Sequence, residues 1–226
     1  MRKVDFCRNF SKRSEAVKRK EGENHLIKYK YILGIFFACL LITLCLYPYL
    51  PNQMAVHWNE NGEPNEFMSK QVVVAFIPCL IIFLHGLMYI ISHNIYKFNE
   101  DEHVIISGFL KTITLFMLFI HMLILFINFG SMISFQTGLT IGISMFLFML
   151  SKAFKKVQST EKDPIKLKKI CLVSRRIFQV MACSILFSLF LNLKWGFYVL
   201  LSVISGGSIL FMFYALYSYI IESYET

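Results

Sequence analysis

The sequence predicts an all-α integral membrane protein of six transmembrane helices, with both termini in the cytoplasm. Three observations predict it. Of the 226 residues, 56% are hydrophobic, above the roughly 45–50% typical of soluble domains. The apolar residues gather in long runs, and a spanning helix needs about 20 of them to cross a hydrocarbon core about 30 Å thick. Lys and Arg gather in two segments, residues 1–30 with ten and residues 151–176 with nine. Such basic segments stay on the cytoplasmic side. The net charge of +9 follows from membrane topology, and nucleic-acid binding is not expected.

The elements follow in order. Residues 1–30 form a basic cytoplasmic tail, suited to anionic lipid headgroups. The first span, Tyr31 to Tyr49, is too long for a signal-peptide core and no small-residue cleavage site follows it, so it reads as uncleaved. Pro51 ends it. The second span is Gln71 to Ile91 and the third Val104 to Phe129. The fourth is Met132 to Leu150, separated from the third only by Asn128, Gly130 and Ser131. The fifth runs from about Leu172 to Leu193 and the sixth from Gly196 to Ile221, with a break at Asn192, Lys194 and Gly196. Lipid offers no hydrogen bonds to a backbone, so these apolar runs are helices. Four crossings place segments 1–30 and 151–176 on one side, which leaves residues 50–70 outside. Asp163-Pro164 reads as an N-cap followed by Pro at the first helical position, so a helix begins at Pro164 and enters the fifth span. Three regions result: the tail 1–30, an N-terminal region 31–103 with the external loop 50–70, and a four-span region 104–226 holding the basic segment 151–176.

The external loop is dense in specific side chains. Asn61-Gly62 is a strong turn signal, and the stretch Val56-His57-Trp58 faces the stretch before Phe67 across it. Trp58 and Phe67 suit the headgroup interface. A lone His beside a Trp falls short of the three or four ligands of a metal site. The six cysteines form no C-x-x-C pair and read as small packing residues.

This loop resembles the signature of the SdpI family of bacterial membrane proteins: Leu-Pro, a short apolar stretch, His-Trp-Asn, a Gly, an acidic or amide residue, an aromatic and a Lys before the second helix. Here those are Leu50, Pro51, His57, Trp58, Asn59, Gly62, Asn65, Phe67 and Lys70, and Pro78 also fits. Ala55 stands where the family has Pro. Ser151-Lys152-Ala153-Phe154-Lys155-Lys156 replaces its Gly-x-Arg-Thr-Pro-type stretch. The resemblance implies a membrane immunity or signalling protein that answers a secreted toxic peptide. It makes Pro51, His57, Trp58, Asn59, Gly62, Phe67 and Lys70 the candidate ligand-binding set.

A second candidate set lies within the spans: His85 in the second, Lys111 and His121 in the third. Ionisable groups in lipid face the protein interior or serve transport. By helical rise, His85 lies roughly 10 Å from the inner end of its span and His121 roughly 12 Å from the outer end, so the two are separate sites. Lys111 is placed to snorkel. Ser134, Gly138 and Gly142 set small residues at every fourth position of the fourth span, a close-packing face. Ser205-Gly206-Gly207-Ser208 marks a bend or tight crossing in the sixth. No phosphate loop, nucleophile elbow or metalloprotease pair occurs, so no catalytic residue, cofactor or metal is expected. The expected partners are the bilayer, an external peptide and a cytoplasmic protein on the basic segments. The rival expectation is a small transporter using the polar residues of spans two and three.

Overall fold

Among the described residues, helices form where the sequence is continuously apolar, and a short β-hairpin forms between the first two of them. The computed structural model describes residues 33–91, 100–158 and 165–224. The basic tail 1–30, the loop with Lys97, and the expected N-cap Asp163-Pro164 lie outside the described residues. The chain divides into two compact units, Met1–Ile42 and Thr43–Thr226. The described part of the first is helical.

The elements are an apolar helix α1 (Leu33–Tyr49), strands β1 (Gln53–Trp58) and β2 (Pro64–Ser69), then α2 (Lys70–Ile90), α3 (Glu100–Asn128), α4 (Phe135–Gln158), α5 (Ile165–Phe187) and α6 (Leu193–Tyr224). The last turn of α1, Tyr47–Tyr49, is a 3-10 helix with Pro48 in its first turn. Five of the helices, α2 to α6, are long and apolar enough to cross a membrane, and the described α1 is apolar but shorter. This is the build of a multi-pass membrane protein. Large apolar side chains stay exposed along it, among them Phe76, Ile82 and Phe83 on α2 and Leu210, Phe213 and Tyr217 on α6. Lipid is the solvent such surfaces require.

Helix ends depart from the expected spans for local reasons. The described part of the third helix starts at Glu100 rather than Val104. It ends in a Schellman motif. Gly130, with φ of 103°, lets its N–H reach the Ile127 carbonyl at 3.1 Å while the Ser131 N–H reaches Phe126 at 3.0 Å. The fourth helix therefore starts at Phe135, not Met132, with the Ser134 hydroxyl accepting the Thr137 N–H at 3.1 Å. The fifth ends early in a 3-10 turn, Ser188–Phe190. The sixth starts at Leu193, not Gly196, because Asn192 caps it by accepting the Trp195 N–H at 3.0 Å.

Small residues set the packing. A Cβ on Gly138 would strike Leu123, and one on Gly142 would strike the Phe119 ring. The expected close-packing face of the fourth helix is thus turned to α3. Gly207 meets Met181 of α5 in the same way, whereas Gly206 faces open space; α6 crosses tightly there and stays a continuous helix. One core joins Leu147 of α4, Met181, Ala182 and Ile185 of α5, and Leu200 of α6. Inside it the Ser144 hydroxyl donates to the Ala182 carbonyl at 2.7 Å, so the hydroxyl is satisfied across the helix pair. A second core joins Leu50, Met54, Val73 and Leu125, and this one holds the hairpin.

Candidate functional site

The hairpin begins with its turn. Asn59 organises it as an Asx turn. Its Oδ1 accepts the N–H groups of Asn61 and Glu63, each at 3.0 Å, and its Nδ2 donates to the Glu63 carboxylate at 3.1 Å. Gly62 is favoured by its backbone and by close packing. Its φ is 81°, a left-handed conformation that costs other residues. A Cβ there would also meet Leu193 at 3.0 Å. The strands pair antiparallel, with Ala55 opposite Phe67 and His57 opposite Glu66, and irregular steps at Ala55/His57 and His57/Trp58.

Four contacts seat this ribbon on the helix ends. The Asn128 carboxamide, in the last turn of α3, binds both backbone groups of Ala55. Its Oδ1 accepts the Ala55 N–H at 2.7 Å and its Nδ2 donates to the Ala55 carbonyl at 3.0 Å. Trp58 stacks on Phe135 at the start of α4, with centroids 3.9 Å apart and planes 11° apart. Met54 is fully buried over Leu125 and Val73, worth about 1.5–3 kcal/mol by transfer. Lys70, first residue of α2 and 9% exposed, donates from Nζ to the carbonyls of Tyr47 at 3.2 Å and Leu50 at 3.1 Å. Its ammonium also sits 4.6 Å from the Tyr47 ring centroid. It closes the carbonyl end of α1, where a cation is favoured.

The seven loop candidates therefore divide. Lys70 and Trp58 point inward and hold the hairpin, and Asn59 and Gly62 shape its turn. Pro51 is exposed just after the first helix. His57 and Phe67 are exposed on the ribbon, and the His57 Nδ1 lies 2.6 Å from the Asn65 carboxamide oxygen. Asn65 fills the acidic-or-amide position of the signature, and this hydrogen bond gives that position a physical role. The exposed surface is anionic, because Glu63 and Glu66 face outward while the ammonium of Lys70 is turned away.

The two histidines of the apolar helices have different partners. His85 Nε2 is 2.8 Å from the Thr114 hydroxyl. That hydroxyl donates its one proton to the Leu110 carbonyl at 2.7 Å, so Nε2 of His85 must carry a proton and donate. His121, 2% exposed, bonds Thr43 through Nε2 at 2.9 Å. Lys111 is exposed on α3 and joins neither histidine.

Sequence reasoning treated Asn128 as a helix break only, and gave no role to Phe135 or Gln136. Gln136 is buried and donates to the Leu193 carbonyl, tying the start of α4 to the start of α6. A polar carboxamide at the end of an otherwise apolar run was the available signal for both amides. For Phe135 there was none, since the ring is one of many.

Comparison with protein families finds one match. A domain of unknown function (DUF1648) matches residues 34–82, an uncharacterised domain found in membrane proteins. The matched stretch contains the whole hairpin, with the helix before it and the first part of α2. The comparisons with curated proteins and with solved structures return no match.

Proposed function

We propose that the chain is a non-catalytic membrane immunity or sensor protein of the SdpI kind, which meets an external toxic peptide or an envelope-stress signal through residues 50–70. In this reading it has six spans, both ends are cytoplasmic, and the hairpin faces outside. The observation that carries the proposal is the hairpin itself. A ribbon that does no spanning is pinned to the helix ends by Asn128, Trp58, Met54 and Lys70, yet it keeps His57, Glu63, Glu66 and Phe67 open to solvent. Preorganisation of this sort lowers the entropy lost on binding. The two basic segments support the orientation, and they would hold a cytoplasmic partner and anionic lipid.

The transporter reading draws on His85, Lys111 and His121. The threonine partners of both histidines favour a packing role for the imidazoles and so support the sensor reading over it.

The test is a protection assay with the full chain. His57→Ala combined with Phe67→Ala, both outside the hairpin's seat, is expected to insert normally and to lose protection against a cationic toxic peptide, or the reporter response to it. Full protection by the stable double variant overturns the proposal. The orientation has its own check. Asn61→Cys should react with an impermeant thiol reagent from outside, and reporters fused after residue 160 and at the C-terminus should read as cytoplasmic.

A further inference from the structure

The two long edges of the hairpin are not equivalent. In an antiparallel pair, residues alternate between those that turn their N–H and C=O toward the partner strand and those that turn them away. The Lys70 N–H bonds the Asn52 carbonyl at 3.0 Å, and this sets the phase. Met54 and Met68, two residues further along, face each other. Ala55 and Phe67, opposite one another in the register, turn their backbone groups outward. On the β1 side the structure bears this out, because both outward groups of Ala55 are taken by Asn128. On the β2 side the matching groups of Phe67 have no partner among the described residues. Ser69 follows the same alternation. The irregular step near Trp58 ends it before Asn65.

The strand is also open along its length. Pro64 through Met68 are all exposed, with Phe67 at 55% and Met68 at 49%. Unpaired edges of this kind accept another strand, and proteins commonly guard them. Here β1 is guarded by a side chain from α3 and β2 is not.

We propose that the outer edge of β2 is a strand-addition site for an extended cationic peptide segment, with the backbone of Phe67 at its centre. The proposal rests on the sensor reading above and names how that surface would hold its ligand. Charge selects the occupant. Glu60, Glu63 and Glu66 lie on or beside the turn and β2, and Lys70 is buried behind them. Lys or Arg side chains on an added strand would lie beside Glu66 on one face, and the alternate apolar side chains would meet Phe67 on the other. A second copy of this chain pairing β2 to β2 would bring like carboxylates together, which is unfavourable. Backbone bonds would supply sequence-tolerant affinity, and the side chains would supply preference.

The experiment uses the full chain in nanodiscs and a short labelled peptide of alternating lysine and valine. Its counterpart is N-methylated on alternate amides, which keeps charge and composition but removes strand donors. Phe67→Pro deletes the outward N–H, which the fold does not use, and an edge strand tolerates this. Phe67→Ala keeps that N–H and loses only the ring. The unmodified peptide is expected to bind, more weakly as salt is raised. The N-methylated peptide and the Phe67→Pro protein should each lose about tenfold or more in affinity, while Phe67→Ala should lose about threefold or less. Absence of binding, equal binding by the N-methylated peptide, or equal binding by Phe67→Pro overturns strand addition. So does a Phe67→Cys protein that cross-links to a second copy as readily with the peptide as without it. These readouts concern the pairing alone, so their failure leaves the sensor reading to its own protection assay.

Discussion

Replacing Asn128 with leucine removes the clamp between α3 and the hairpin while keeping the side-chain volume. Three hydrogen bonds go: two to Ala55, at 2.7 and 3.0 Å, and one to the Ile124 carbonyl at 2.9 Å. The Ile124 carbonyl keeps its place in the helix, so the loss falls on Ala55. That residue is 6% exposed, so both of its backbone groups would be buried without partners. Each such group costs about 1–3 kcal/mol, which gives roughly 2–6 kcal/mol if the hairpin stays seated. The seat itself is held by the burial of Met54, about 1.5–3 kcal/mol, by the Trp58 stack and by Lys70. The penalty is comparable to these, so the ribbon relieves it by lifting and admitting water. Local opening, rather than global unfolding, is the expected response. A loss of about 2 kcal/mol in local stability corresponds to a roughly 30-fold faster exchange of the Ala55 amide. Hydrogen exchange over residues 53–58 in detergent or nanodiscs measures this. Labelling of a Met54→Cys thiol, masked in the parent and reactive in the Asn128→Leu background, is an independent check. Asn128→Asp should fall between the two, since its carboxylate still accepts the Ala55 N–H but offers no donor to the carbonyl. Exchange at Ala55 in the leucine variant within about threefold of the parent, on the same scale, would refute the clamp.

Three further outcomes are expected. In a double-mutant cycle on Trp58→Ala and Phe135→Ala, thermal unfolding should show a coupling of about 0.5–1.5 kcal/mol, and additive effects would mean the stack contributes nothing beyond burial. His121→Gln should retain stability to within about 1 kcal/mol and His121→Leu should lose about 0.6–1.7 kcal/mol, the range of hydrogen bonds between membrane helices. Both variants should keep the protection phenotype, and loss of function in stable His121→Gln protein would reopen the transport reading. Gly142→Ala should cost about 1–3 kcal/mol because the Phe119 ring must move, whereas Gly206→Ala, with open space around it, should change stability by less than about 1 kcal/mol. Equal effects at the two glycines would show that the α3–α4 contact is looser than drawn.

Apolar run length and the interruptions at Gly130 and Asn192 located the helices α2 to α6 from sequence alone. This works because lipid leaves an apolar backbone no other structure. The same local logic found the hairpin turn, since Asn61-Gly62 and the left-handed φ of Gly62 are properties of neighbouring residues. Helix ends were less legible. Capping by Ser134 and Asn192 depends on one hydrogen bond each, and a count of apolar residues does not register it. The division of labour in the loop was not legible at all. From sequence, Trp58 and Phe67 are two aromatics of one kind, but the fold stacks one on Phe135 and leaves the other in solvent. Lys70 reads as a ligand-binding residue of the loop until its acceptors prove to be the carbonyls of Tyr47 and Leu50. Asn128 reads as a helix terminator until Ala55, 73 residues away in the chain, comes to lie against it. Partners so distant are set by how the helices pack, and a linear pattern carries no record of which residue will stand opposite which.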